Sequence, residues 1–326
     1  MGDKNRLNIA IFGVGAMGSL FGSKLTELAQ LTLFGNWPEQ IETLRRDGLT
    51  LIHPDGHQSR HMLPVTNDLN EMPAADLALI MVKSHQTARA ARQAANILHP
   101  EGIAITLQNG LGNLEKLAEA VGPARAGLGI TAQGATVLKP GQVRHAGNGP
   151  THLARLAGQE QQLSRVVDLF NRAGLETMLV DNADSLIWGK LAINAGINPL
   201  TALLELPNGA LPEDETLRQI MTAAAQEVAA VAAAQGITLP YADAARRTIE
   251  VARATANNHS SMWQDISRLA PTEIDAISGA VVRYGRQLKV STPVNEFLLW
   301  LVKNKEQGHR LERRQIERLN LLTCAR

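Results

Sequence analysis

The chain has 326 residues, 44% of them hydrophobic and 19% charged, with a net charge of +1 at neutral pH. That balance suits a soluble globular protein with room for two domains, and near-neutrality gives no electrostatic handle on nucleic acid or an anionic membrane. Aromatics make up 3% of residues, too few for a base-stacking platform, and a lone cysteine, Cys324, rules out an internal disulfide and fits a reducing cytoplasm.

From the N-terminus, "MGDKNRLNIAIFG" holds too short an apolar run for a secretory signal. "LNIAIFG" (7–13) and "LTLFG" (31–35) read as strands with "AMGSLFGSKLTELA" between them as a helix. "LTLIHPDGHQSRHMLPV" (49–65) reads as a hairpin turning at Asp55-Gly56. "LALIMVK" (77–83) and "IAITLQNG" (103–110) are further buried strands flanking the helical "TARAARQAANIL", and "ATVLKPGQVRHAG" (135–147) is a second hairpin turning at Pro140-Gly141. Strands alternating with helices at this spacing predict βαβ units and a parallel sheet covered on both faces.

After about residue 181 the strand signals stop. Helices are expected near 182–198, 213–235, 241–257, 261–269, 272–288 and 293–318, with Gly236 closing the second and Pro293 in the first turn of the last. The alanine-rich "MTAAAQEVAAVAAAQG" is interrupted by Gln226 and Glu227, so it is no membrane span. The fold class expected is an α/β Rossmann-type N-terminal domain followed by an all-α C-terminal domain. Residues 1–180 would bind a dinucleotide and residues 181–326 the substrate, with ligands in a cleft at the carboxyl ends of the strands.

Three features carry chemistry. "IFGVGAMGSLFG" sets Gly13, Gly15 and Gly18 in a G-x-G-x-x-G run behind a strand and ahead of a helix, so the run Gly13, Val14, Gly15, Ala16, Met17, Gly18 is a candidate dinucleotide cradle. Gly13 permits the tight turn, Gly15 the approach of a pyrophosphate and Gly18 close helix packing, while the helix N-terminus offers N–H groups to phosphate. After the second strand, where an acid selects NAD and an arginine NADP, stands Asn36. It neither repels nor clamps a 2′-phosphate, so NADP is permitted and NAD is possible.

The second feature is "LIWGKLAINAGINPLTAL" (186–203), an oily run in which Lys190, Asn194 and Asn198 recur every four residues and share one helix edge. Pro199 is expected to bend or end that helix just after Asn198. Each residue alone has an ordinary explanation, a snorkelling lysine or a backbone-satisfying amide; three in register favour a polar wall facing the cleft. A desolvated lysine has a lowered pKa suited to protonating a developing alkoxide, and carboxamides can hold a small oxygen-rich acid. The third feature is the pair "NNHSSMWQDI" (257–266) and "PTEIDAISG" (271–279). Ser261 with Gln264 has capping-box spacing and Thr272-Glu273 could simply start a helix, so spacing leaves structure and chemistry evenly matched.

"GVGAMG", "VK" (82–83), "QNGLG" (108–112), "KLAINAGINPLTAL" (190–203), "PNG" (207–209), "NNHSSMWQDI" and "TEID" (272–275) stand in the order found in ketopantoate reductases, which the chain resembles over nearly its whole length. The resemblance implies NADPH-dependent reduction of 2-dehydropantoate (ketopantoate) to (R)-pantoate, on the way to pantothenate and coenzyme A. It makes Lys190 the general acid and Glu273 the group that holds and polarises the substrate. Asn109, Asn194, Asn198, Asn258 and Ser261 would contact substrate oxygens, while Lys83 and Asn109 would lie near the ribose and nicotinamide. Asn36 departs from the arginine common in that family, which leaves NADPH preference weak unless Arg45 or Arg46, expected to be exposed helix residues, substitute. A related 2-hydroxyacid dehydrogenase acting on another 2-oxo acid, or a dinucleotide-sensing regulator, would share the fold; the sensor has no need of a proton donor. The partner expected is a small 2-oxo acid, with no nucleic acid or membrane, for a cytoplasmic monomer or homodimer. His53, His57 and His61 are not expected to bind metal, since Pro54 and the Asp55-Gly56 turn keep them off one helix face.

Overall fold

The computed structural model describes residues 6–309. The described residues divide into two compact units, one made of residues 6–108 and 113–183, the other of residues 109–112 and 184–309. Cys324 and the last part of the helix expected at 293–318 lie outside the described residues.

The first unit begins β1 (Asn8–Phe12), α1 (Ala16–Leu25), β2 (Gln30–Phe34), α2 (Pro38–Asp47). A hairpin of β3 (Leu49–Ile52) and β4 (Gln58–His61) follows, then the short β5 (Val65–Thr66), β6 (Ala75–Ile80), α3 (Thr87–Ile97), β7 (Leu98–Thr106) and α4 (Asn113–Val121). The unit closes with β8 (Ala126–Thr131), β9 (Gly134–Lys139), β10 (Gln142–Gly147), β11 (Thr151–Ala154), α5 (Glu160–Arg172) and β12 (Thr177–Val180).

Eight of these strands form one sheet in the order β12-β11-β8-β7-β6-β1-β2-β5. β1 pairs in parallel with β2 on one side and β6 on the other, so the chain reverses its direction of winding beside β1. Ligands of open α/β sheets bind at the carboxyl end of that position. Strand residues are apolar almost without a break because helices cover both faces. Ile9 and Ile11 pack with Leu20, Phe21 and Leu33 on one face, whereas Ala10 and Phe12 pack with Ala90, Ala91 and Leu117 on the other, as the two-residue strand period requires.

The parallel sheet expected is present in β7-β6-β1-β2 and its flanks, with one antiparallel pairing toward its edge, β11 against β8. The chain between them is the β9–β10 hairpin, which carries no crossover helix, and a parallel return needs one. Both expected hairpins are present. Gly56 (φ +85°) and Gly141 (φ +73°) supply the left-handed backbone at their turns. The two hairpins join through β3 and β10 into a second sheet, β4-β3-β10-β9, that packs against α1.

The second unit is helical: α6 (Ala183–Leu204), α7 (Glu215–Ala234), α8 (Ala244–Ala254), α9 (Ser261–Ser267), α10 (Ser278–Leu288) and α11 (Pro293–Glu306). Its core gathers Leu191, Ala195 and Leu200 of α6, Ile220, Met221 and Val228 of α7, and Leu298 and Leu301 of α11. Asp214 and Asp243 cap α7 and α8, and Gly236 (φ +74°) follows the C-terminus of α7 as expected. Pro293 opens α11, whose first N–H groups, those of Val294 and Asn295, donate to the fully buried Glu227 carboxylate at 3.0 and 2.9 Å.

Three local expectations are corrected. Helix α6 continues through Pro199 to Leu204 and Asn198 stays helical. Proline removes one hydrogen bond, but Leu200, Ala202 and Leu203 in the next turn are buried, and tertiary burial outweighs the loss. No helix starts at Thr272; residues 273–277 form turns and α10 begins at Ser278. The cap of α9 is Ser260, whose Oγ accepts from the Trp263 N–H at 3.0 Å, while Gln264 Nε2 donates to the His259 carbonyl. Ser261 is therefore the first helical residue, not the cap.

Candidate functional site

In the first unit the glycine run is shaped by what a side chain would strike. A Cβ on Gly18 would sit 1.8 Å from the Gly13 carbonyl oxygen, and one on Gly13 (φ +129°) would sit 2.7 Å from the Met81 carbonyl oxygen. Beside Gly15 the space is open, with no atom within 4 Å of such a Cβ. Gly15 is the N-cap of α1 without a side-chain capping bond, and the first turn carries no acidic residue. Ala16 and Met17 open the helix half-buried. A helix N-terminus with open space before it and no carboxylate fits the phosphates of a dinucleotide.

Val14 is buried, and its side chain lies over Gly35, where a Cβ would come within 2.5 Å of it. Asn36 is the next residue and is exposed. Arg45 spends its Nε on the Val65 carbonyl at 3.1 Å and faces Glu71 at 3.9 Å; Arg46 pairs with Asp47 at 2.7 Å. Both arginines are thus engaged along α2 and its flanks. Lys83 follows β6, preceding a short 3-10 turn (Ser84–Gln86). Its neighbour Val82 offers a carbonyl to Gln108 Nε2 at 2.6 Å, and Gln108 also meets Thr87 and Thr106, so the exits of β6 and β7 are tied together.

In the second unit, Lys190 and Asn194 are half-buried on α6 and Asn198 is buried one turn further on. Burial pushes the Lys190 ammonium down to about 8, and the negative charge of Glu273 opposes that shift. Glu273 is itself buried. The turn carrying it is clamped from α11: the Thr272 N–H and Oγ1 both donate to Glu306 Oε1 at 2.7 Å, and Lys303 Nζ lies 2.5 Å from Asp275.

Residues 109–112 belong to this helical unit although their neighbours in sequence do not. The Leu111 N–H donates to the Ala276 carbonyl at 2.9 Å, and Gly110 (φ +81°) lies so close that a Cβ would fall 2.5 Å from that same oxygen. Asn109, half-buried, is thereby stapled to the turn that holds Glu273. On the other flank Thr201 of α6 lies 2.7 Å from Ser260, which joins α6 to the start of α9 next to Ser261. Asn258 and Ser261 are exposed, and the Asn258 carbonyl accepts from the Asn208 N–H of "PNG" at 3.0 Å. Lys190, Asn194, Asn198, Asn109, Asn258, Ser261 and Glu273 thus share one unit. The arrangement offers an ammonium able to give up a proton near neutrality, a buried carboxylate acting on it, and several amide and hydroxyl groups.

Sequence reasoning missed Gln40, Thr201, Lys303 and Glu306. Gln40 had a signal: it shares the buried face of α2 with Ile41 and Leu44. The others had none before the helices were placed. The hairpin histidines are occupied with one another: His53 Nε2 and His61 Nε2 each lie 2.8 Å from Ser59 Oγ, and the His53 and His57 rings stack. Among the described residues no group of three or more His, Cys, Asp or Glu is placed to hold a metal ion, and no helix is long and apolar enough to cross a membrane.

A strand–glycine loop–helix at the reversal point of a largely parallel sheet, followed by a helical unit with a desolvated lysine, defines a dinucleotide-binding α/β protein of the two-unit reductase type. Residues 9–158 match the family described as ketopantoate reductase PanE/ApbA, and residues 182–306 match its C-terminal counterpart. The chain belongs to the ketopantoate reductase family. It is 37% identical to the 2-dehydropantoate 2-reductase of Halobacterium salinarum, over 91% of this chain and 98% of that one. It is 34% identical to the protein of the same name in Vibrio cholerae, over 93% and 99%. Among solved structures it is similar to 2-dehydropantoate 2-reductase from Geobacter metallireducens (27% identity, 91% of this chain and 99% of that one, TM-score 0.84). It is equally similar to D-mandelate dehydrogenase solved with NADH and anilino(oxo)acetate (28%, 93% and 99%, TM-score 0.85).

Proposed function

We propose that this chain reduces 2-dehydropantoate to (R)-pantoate with NADPH as the preferred hydride donor and NADH as a weaker one. The observation that carries the reading is Lys190, set in an apolar helix with a pKa near 8 and acted on by the buried Glu273, in a chain whose relatives bear the name 2-dehydropantoate 2-reductase. We take the glycine-loop unit as the dinucleotide-binding domain and the helical unit as the substrate domain, working in the cytoplasm.

The nicotinamide, when bound, supplies the hydride. Gly13, Val14, Gly15, Ala16, Met17 and Gly18 would hold its pyrophosphate, with Lys83 and Asn109 toward the ribose and nicotinamide. Asn36 would stand at the adenosine ribose, where it contributes neutral hydrogen bonds without the charge that distinguishes NADPH from NADH. In the helical unit Asn194, Asn198, Asn258 and Ser261 would orient the carboxylate and hydroxyl of the substrate. Glu273 would fix the position of the substrate and keep Lys190 protonated. As negative charge develops on the ketone oxygen, Lys190 Nζ donates a proton to it, and its lowered pKa makes that transfer favourable near neutral pH.

The experiment is to follow oxidation of NADPH and of NADH with 2-dehydropantoate and a panel of other 2-oxo acids. The expected result is turnover of 2-dehydropantoate with the higher kcat/KM on NADPH. Turnover of an aryl 2-oxo acid with NADH and none of 2-dehydropantoate would place the chain with the mandelate dehydrogenase instead.

A further inference from the structure

Gln40 is a fully buried carboxamide that no step above uses. Its Nε2 donates to the Val14 carbonyl at 3.1 Å and to Ser19 Oγ at 3.2 Å. Ser19 Oγ lies 3.3 Å from the same carbonyl, closing a triangle beneath the glycine loop. On its other side Gln40 Oε1 accepts the Gly141 N–H at 2.8 Å. All the hydrogen-bonding directions of the amide except one lone pair are thereby used.

Gly141 sits at the tip of the β9–β10 turn, pressed against α2 so closely that a Cβ would fall 2.4 Å from Thr43 Cγ2. The Thr50 N–H of β3 donates to its carbonyl at 2.8 Å. The tip is therefore rigidly seated from two sides. Through Gln40 it reaches the residue between the first two glycines of the dinucleotide loop.

The consequence follows from peptide geometry. In a trans peptide the carbonyl and the next N–H point in opposite directions. Holding the Val14 carbonyl on Gln40 and Ser19 aims the Gly15 N–H away from that pair, at a residue whose Cβ position faces open space. A loop whose donor is aimed before the ligand arrives loses less freedom on binding.

We propose that Gln40 is a positioning residue for the dinucleotide, which couples the second sheet to the glycine loop and presets the Gly15 N–H for the pyrophosphate. The inference rests on the dinucleotide-binding reading above. It gives this chain's second sheet, packed against α1, a part in shaping the glycine loop.

The test is a fluorescence titration of NADP⁺ and NADPH, with steady-state kinetics and thermal unfolding alongside. Gln40→Met keeps the length of the side chain and removes every polar contact. It is expected to raise Kd and KM for the dinucleotide about tenfold or more, while kcat at saturating dinucleotide stays within about twofold and KM for the 2-oxo acid is unmoved. Gln40→Glu separates positioning from mere stability. A neutral carboxyl can donate to the Val14 carbonyl, whereas an ionised one only accepts and faces that carbonyl oxygen unbonded. Burial raises the pKa of the introduced acid, so its dinucleotide Kd should approach that of the unaltered chain at acid pH and climb more steeply as pH rises.

Lowered thermal stability with Kd within about twofold of the unaltered chain, and a Kd–pH profile parallel to it, would overturn the inference. Should Gln40→Met fail to fold, the pH profile of Gln40→Glu decides alone. An unaltered chain that binds neither dinucleotide would overturn the reading of the site and this inference with it. Binding that is normal and indifferent to residue 40 overturns this inference only.

Discussion

The glycine loop and the lysine helix meet their tasks by opposite means. Around Gly13 and Gly18 the backbone is shaped by absent atoms, since a single Cβ would collide with the main chain at 2.7 or 1.8 Å. Around Lys190 the α6 helix is ordinary in backbone, and what sets it apart is the surroundings of one side chain: burial that lowers the ammonium and a carboxylate that opposes the shift. At Gly13 and Gly18 the backbone tolerates no added volume. A site made by electrostatics tolerates changes of volume but not of charge.

That contrast can be broken or sharpened by substitution, beginning with the largest expected effect. Gly18→Ala places a methyl against main chain that cannot yield, and should cost more than about 3 kcal/mol of stability, beyond ordinary overpacking; denaturant unfolding measures it. Glu273→Ala should lower kcat/KM for the 2-oxo acid by on the order of 10²–10³, raising KM as well as lowering kcat because the carboxylate is expected to grip ground and transition states alike. Steady-state kinetics would show it, and dinucleotide Kd should not move. Asn36→Arg adds a charge where the 2′-phosphate is expected and should tighten NADPH by about 1–3 kcal/mol while leaving NADH unchanged. Equal titration curves for the variant and the unaltered chain would put the phosphate elsewhere. Smallest is Gly15→Ala, which enters open space in an allowed conformation (φ −77°). It should change stability by no more than about 1 kcal/mol but weaken the dinucleotide about tenfold, since the methyl stands where phosphate must approach.

The two regions were unequally legible in the sequence. The strand–loop–helix at 7–25 could be read because three glycines at fixed spacing between an apolar strand and a helix have a specific steric cause. The stripe Lys190, Asn194, Asn198 could be read because helix period places it on one edge. Both hairpins announced themselves through Asp55-Gly56 and Pro140-Gly141. The far edge of the sheet, β8, β11 and β12, went unread because its partners are fixed by long-range pairing, and its antiparallel strand depends on what the intervening hairpin does.

Pro199 misled for a related reason. Local chemistry argues for a helix end there, and only the burial of Leu200 and Leu203 carries the helix onward. For Ser261 and Glu273 the spacing left capping and chemistry evenly matched; the cap of α9 is Ser260 and Thr272 binds Glu306, so neither residue caps a helix. Gln40 could be placed on the buried face of α2 with Ile41 and Leu44, but its partners Val14 and Gly141, like the Thr272 partner of Glu306, are distant in sequence and no spacing rule reaches them.

The central claim is that Lys190 is the proton donor, and its most direct test is the pH dependence of kcat/KM in the unaltered chain and in Lys190→Ala. A lysine with a pKa of about 8 is protonated and active below that pH and loses its proton above it, so activity should fall on the alkaline side of pH 8. Lys190→Ala should lower kcat by on the order of 10²–10⁴, the usual contribution of a positioned general acid, abolish the alkaline limb, and leave dinucleotide Kd within about twofold. A near-normal kcat in Lys190→Ala with the alkaline limb intact would contradict the account and return the lysine to a packing role.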